Sequence, residues 1–219
     1  ALMKSYLDNI PPYLTEHSFT TLLAWQKSFD FQFALADDFL FIRNTHDGVT
    51  SFFPPFYKNG KSGNLEYAAA LQKIIEYAKT KNLPCILSEV GDNELPLIEN
   101  AMPAAFSVRN DRKNANYIYL VKDLTELSGK KYHNKRNHVN NFKRNFPFHE
   151  FLPLTTDLIA ECRESLVRWT AENHKTNVDT IKEEADAIDV LFNHMKELEL
   201  QGVCIKIGGK VEAFAIGER

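Results

Sequence analysis

Near the end of the chain, two glycines stand between two runs of alternating apolar residues: residues 203–207, then Gly208-Gly209, then residues 211–216. Both central positions of a two-residue hairpin turn take positive φ, which glycine adopts without steric cost. The pair therefore predicts a tight antiparallel hairpin and fixes a β-sheet in the fold. Helical patterning elsewhere must share a core with that sheet, so the chain reads as α+β. Sixteen Phe and eight Tyr agree, because aromatic residues favour the half-buried surface of a sheet.

The 219 residues suit one large domain or two small ones. Residues 17–29 read as a helix with Ser18 as N-cap and Phe19, Leu22, Leu23 and Trp25 on its apolar side. Residues 31–35 and 38–43 read as a hairpin turning at Ala36-Asp37, and residues 49–53 as a third strand ended by Pro54-Pro55. A Gly-containing loop leads into a helix over 64–79. A buried strand over 85–89, a short helix over 95–101 and strands over 106–108 and 116–121 complete a first unit, residues 1–123. The second unit, residues 124–219, opens with a basic helix over 130–146. It continues with a strand over 148–154, helices over 157–172 and 178–200, and the Gly-Gly hairpin. A sheet of that strand and one hairpin leaves an open edge.

Composition excludes several classes. The net charge of -3 argues against a generic polyanion binder, so any contact with nucleic acid or lipid needs a local patch. The three cysteines, Cys85, Cys162 and Cys204, show neither disulfide nor metal spacing and read as reduced, buried thiols. The seven histidines contain no HExxH pair, and His133 and His138 fall on different helix faces; no metal site is expected. No apolar run is long enough to cross a bilayer and no leader pattern opens the sequence, so the expected location is cytoplasmic. GxSxG and GxGxxG motifs are absent.

The basic helix is the most distinctive segment. It carries Lys130, Lys131, Lys135, Arg136, Lys143 and Arg144, with two His and no acid. Tyr132, Val139, Phe142 and Phe146 form one narrow apolar stripe. With no acid in the helix, three outcomes are open. The charges are solvated, or they dock on the acidic helix at 179–199, with seven acids against two lysines, or they meet an anionic ligand such as a phosphate. A second candidate is the turn at Gly60, Ser62 and Gly63, a generic anion site of backbone N–H groups at a helix start. It is not a P-loop, since Pro55 stands where that motif needs glycine. Glu218, after Gly217 at a strand end, is the remaining candidate for chemistry.

SGKKYHNKRNHVNNFKRNFP (residues 128–147), the preceding NYIYLVKDLTELSGKK, and the closing QGVCIKIGGKVEAFAIGER resemble the family of the phosphatidylglycerol lysyltransferase C-terminal domain. SFTTLLAWQKSF and FFPPF in the first half resemble it more loosely. The resemblance implies two tandem GNAT-like (acyltransferase-type) domains, the second incomplete within this chain. Members with that architecture include transferases that move an amino acid from aminoacyl-tRNA to a lipid or a peptidoglycan precursor. The implied donor is aminoacyl-tRNA or acyl-CoA, with no resident cofactor. The implied partners are tRNA or another phosphate-bearing substrate, with peripheral lipid contact. On this reading Lys130, Lys131, Lys135, Arg136, Lys143 and Arg144 hold phosphates, and Glu218 acts as base or amine-binding group. Gly60, Ser62 and Gly63 lie where GNAT enzymes cradle the pyrophosphate of acyl-CoA, although the loop lacks their Gln/Arg-x-x-Gly-x-Gly/Ala pattern. Three functions are compatible: an aminoacyl- or acyltransferase, a non-catalytic RNA- or anion-binding module on the same scaffold, and a CoA-dependent N-acetyltransferase.

Overall fold

The computed structural model describes residues 2–8, 14–58, 60, 62–173 and 178–218. The chain divides into two compact units, Ala1–Asn116 and Tyr117–Arg219, where the sequence suggests a break after Asp123.

The first unit opens with α1 (Lys4–Leu7), α2 (Phe19–Ala24) and α3 (Gln26–Phe29). Ser18 caps α2 by accepting a hydrogen bond from the Thr21 amide at 3.0 Å. The single helix expected over 17–29 breaks at Trp25, whose φ of -96° and ψ of 6° are not helical. Strands β1 (Gln32–Ala36), β2 (Phe39–His46), β3 (Val49–Phe52) and β4 (Phe56–Tyr57) follow. All pair antiparallel, β1 on one side of β2 and β3 and β4 on the other. The first turn is Asp37-Asp38, with φ of 50° and 61°, and the second is Asp47-Gly48, with 49° and 75°. Aspartate tolerates the left-handed region because its short polar side chain bonds locally.

Alternation along β2 sends Leu40 and Ile42 to one face and Phe39 and Phe41 to the other. Leu40 and Ile42 pack with Tyr6, Leu7, Leu22, Phe53 and Phe56. On the opposite face lies α4 (Asn64–Thr80). Its Tyr67, Ala70 and Leu71 meet Phe39 and Ile98 of α5 (Glu94–Ala101), and its Ile74 and Ala78 meet Phe52. The sheet is therefore covered on both sides. The strand expected over 85–89 is reduced to one parallel bridge, Phe52 with Leu87. Two hydrogen bonds hold it, Phe52 N–H to Ile86 O and Ser88 N–H to Phe52 O, each 2.9 Å. The strands expected over 106–108 and 116–121 form no ladder among the described residues. Strand-type residues need a neighbouring backbone to pair with. Here Tyr117 and Ile118 are 87% and 72% exposed instead.

The second unit contains α6 (Val121–Glu126), a 3-10 turn at Lys130–Tyr132 and α7 (His133–Asn145). Then come β5 (Glu150–Pro153), α8 (Ile159–Asn173), α9 (Val178–Asn193), β6 (Gln201–Ile207) and β7 (Lys210–Gly217). The sheet order is β5-β6-β7, antiparallel throughout. The structure bears out the Gly-Gly hairpin: Ile207 pairs with Lys210, and Gly208 and Gly209 take φ of 58° and 79°. α9 stops at Asn193 rather than 200, and Leu200 N–H turns back to Met195 O at 2.9 Å. α8 packs on β7 and on α9. Cys162, Cys204 and Val211 are fully buried there, with Leu166, Phe192 and Leu198 among the other core residues. Polar links reinforce the packing: Arg168 Nη2 donates to Val211 O at 2.6 Å, and Lys206 pairs with Glu161 at 2.7 Å. The outer edge of β7 has no strand partner among the described residues.

Candidate functional site

The turn before α7 is shaped by two residues of positive φ, Leu127 at 50° and Gly129 at 81°. Their carbonyls point at the helix, and Arg136 Nη1 donates to both Leu127 O and Gly129 O. Tyr132 is buried, and its hydroxyl donates to Asp123 Oδ2 at 3.1 Å. Lys131 Nζ reaches the same oxygen at 2.9 Å. These bonds hold the Asp123 carboxyl below its ordinary range and push Lys131 above its own. Two of the six cations thus anchor the helix.

The other four face outward. Lys130, Lys135, Lys143 and Arg144 are exposed. No carboxylate lies within ion-pair distance of any of them among the described residues. Lys135 sits 5.8 Å from the ring centre of Tyr119, which stacks on Tyr117 at 6.5 Å. Arg144 donates to Asn141 Oδ1. Lys143 and Arg144 occupy the last turn, where the helix dipole favours cations by about 0.3–1 kcal/mol each. Of the three open outcomes, docking on the acidic helix is not the one the structure shows. Among the described residues no cation of α7 pairs with an acid of α9, and Asp189 of α9 is taken by Arg163 of α8. Of the apolar stripe, Tyr132 is buried and Phe142 is half-buried against Phe146 and His149. Val139 and Phe146 stay largely exposed.

The turn before α4 is arranged differently. Gly60 takes φ of 75°, Ser62 is half-buried, and Asn59 and Lys61 lie outside the described residues. The Gly63 amide donates to Glu66 Oε2 at 2.9 Å, the one half of a capping box that a glycine N-cap can make. A carboxylate of the protein therefore already occupies that helix N-terminus. Glu218 is exposed just beyond β7, whose last residue Gly217 pairs with Gln201. Glu212 pairs with Arg168 at 3.7 Å.

Sequence reasoning missed a partly buried polar cluster in the first unit. His17 Nε2 lies 2.9 Å from Glu89 O, and its ring packs against Phe53 and Phe56. Burial pulls its basicity down. Glu89 takes φ of 53°. Its carboxyl is pushed up to about 7 by burial, then by Glu16 and Asp111. Glu16 and Asp111 come from distant parts of the chain, so no local pattern could mark Glu89. Its shift has a measurable sign. An unfolded chain releases this proton near 4.5 and the folded one near 7. Ionisation therefore costs stability as pH rises through that window. Glu89→Gln is expected to melt higher than the parent at pH 8 and level with it at pH 4. In a unit of this size each 1 kcal/mol moves Tm by about 4–8 °C. His17 works in the opposite sense, losing stability as pH falls below 6.5, but it is common to both chains and cancels in the comparison.

No group of three metal-ligating side chains occurs among the described residues. No described helix is long and apolar enough to cross a membrane.

Comparison with known proteins supplies the context. No curated protein matches the chain. A solved structure, described as a conserved protein of unknown function from Bacteroides thetaiotaomicron VPI-5482, superposes with a TM-score of 0.87 at 30% identity. The match covers 99% of this chain and 71% of that one. The family model described as phosphatidylglycerol lysyltransferase, C-terminal, matches residues 8–219, nearly the whole sequence and all of the basic helix. The chain belongs to the phosphatidylglycerol lysyltransferase C-terminal family.

Proposed function

We propose that this protein is a transferase that moves an activated acyl group from aminoacyl-tRNA or acyl-CoA to an amine or hydroxyl acceptor, with α7 holding donor or acceptor phosphates. The observation that carries the reading is the exposed, uncompensated charge of Lys130, Lys135, Lys143 and Arg144, on a molecule whose net charge is negative. Family membership supports the transferase class. On this reading the two units are tandem GNAT-like domains. Lys131 and Arg136 serve the site by fixing the helix, Lys131 Nζ through Asp123 and Arg136 Nη1 through the Leu127 and Gly129 carbonyls. Gly60 and Ser62 are the remaining candidates for an acyl-CoA pyrophosphate, because Gly63 is spent on Glu66.

The reaction itself asks little covalent chemistry of the protein. The acceptor nitrogen or oxygen attacks the donor carbonyl, a new C–N or C–O bond forms, and the ester or thioester bond breaks. The acceptor's proton passes to a base, for which Glu218 is the candidate, and the leaving alkoxide or thiolate is protonated. Positioning and charge complementarity supply the rate enhancement. The test is transfer of labelled amino acid from aminoacyl-tRNA to lipid extract and peptidyl acceptors, beside a panel of acyl-CoA donors, using the full-length protein. Turnover with one donor identifies it. Absence of turnover with every donor removes the reading, and tRNA binding surviving alone would leave a non-catalytic RNA-binding module. A CoA-dependent N-acetyltransferase would instead be stabilised by acetyl-CoA, by about 2.7 kcal/mol at 100 times its Kd.

A further inference from the structure

The first unit has a groove between the edge strand β1 and helix α4. Its cause is local. Ala34 and Ala36 stand on the β1 face that looks toward α4, paired across to Phe41 and Phe39. Their short side chains do not fill the space that Phe41 on β2 and Ile74 on α4 define. The volume is about 280 Å³. At roughly 30 Å³ per water in the liquid, that is the space of about nine water molecules. It lies just below the usual range for small-molecule sites, about 300–1,000 Å³.

One wall of this apolar groove carries Arg43 and Tyr77. Arg43 Nη1 donates to Tyr77 Oη at 3.0 Å. That contact orients the guanidinium plane and uses one of its edges. The other edge, formed by Nε and Nη2, is the fork that matches the two oxygens of a carboxylate. Arg43 Nε is shut off from solvent and meets no acceptor among the described residues. No described carboxylate pairs with this guanidinium either. Lys73, also on the groove, is engaged with Asp37 at 3.1 Å. A buried donor without an acceptor is costly, more so when charged.

We propose that the β1–α4 groove binds a short-chain aliphatic carboxylate, its head on the Arg43 guanidinium and its chain along Ala34, Ala36, Phe41 and Ile74. Charge complementarity selects the head, and the alanine-lined gap favours a chain of modest length, for which octanoate is the probe. The inference is independent of the transferase reading, since every residue of the groove belongs to the first unit and α7 belongs to the second.

Calorimetric titration of the whole chain with octanoate tests this, beside octanamide, which keeps the chain and loses the charge. Saturable octanoate binding is expected, with octanamide weaker by about tenfold or more, the factor expected of one charge-assisted hydrogen bond. Arg43→Gln should remove that preference, and Ala34→Leu should abolish binding of both ligands by filling the gap. The octanoate–octanamide comparison needs no variant, so a misfolded variant would not blunt the test. Absence of saturable octanoate binding, or equal affinity for the amide, overturns the proposal. So does binding that persists unchanged in both folded variants.

Discussion

A chain carrying Lys130→Ala, Lys135→Ala, Lys143→Ala and Arg144→Ala should lose most of its affinity for tRNA, and its dependence on salt should flatten. Removing one phosphate interaction lowers the log–log slope by about 0.7–0.9, so four together account for about 3. All four side chains are exposed and lack carboxylate partners among the described residues. Their removal should therefore cost little stability, about 0.3–1 kcal/mol for each of Lys143 and Arg144 in the last turn and no more than about 0.5 kcal/mol for each of the others. Fluorescence anisotropy against labelled tRNA over a salt series provides the measurement. Lys131→Ala and Arg136→Ala form the internal contrast. These side chains hold Asp123 and the Leu127 and Gly129 carbonyls, so their loss should loosen the helix start and lower thermal stability first. A quadruple variant with the parent's salt slope would remove α7 as a phosphate surface.

Phe53→Ala should bring the first unit close to unfolding. Phe53 is 1% exposed and meets His17, Phe31 and Phe56 at ring-centre distances of 5.8, 5.9 and 6.4 Å. Deleting a buried Phe costs about 3–5 kcal/mol through reduced burial and the cavity left behind. Domains of this size hold only about 5–15 kcal/mol in all. Urea unfolding should show the midpoint displaced, with the signal of the second unit little changed. A midpoint shift equivalent to less than about 1 kcal/mol would show that the site collapses around the gap.

Much of the fold is legible in the sequence because its signals are local. The Gly-Gly turn, the strand β2 and the helix α4 each lie within one stretch, and each forms close to where the residues place it, although Leu65 at the start of α4 is 88% exposed. The extended segment at 116–121 misleads for a physical reason: Tyr117, Ile118 and Tyr119 declare a preference, but a ladder depends on a partner that local pattern does not name. The basic helix is legible as an element. Which of its charges remain available is not, because that depends on Asp123 approaching Lys131 and on Asp189 turning to Arg163. Glu89 and Arg43 are invisible for the same reason. Burial decides what each can do, and residues far away in the sequence decide burial.

The three cysteines give the molecule a built-in clock. Cys162 is fully enclosed and its thiol is pushed up to about 11; Cys204 is equally enclosed and also raised. Cys85 in the first unit is half-buried and raised by burial. Only the thiolate attacks an alkylating reagent. Modification of Cys162 and Cys204 must therefore wait for the second unit to open, and its rate measures how often that happens. Cys85, half-buried, reacts without such opening and gives a reference rate in the same tube. Mass spectrometry of a single labelling series would then record the breathing of the second unit against that reference, without introducing any probe.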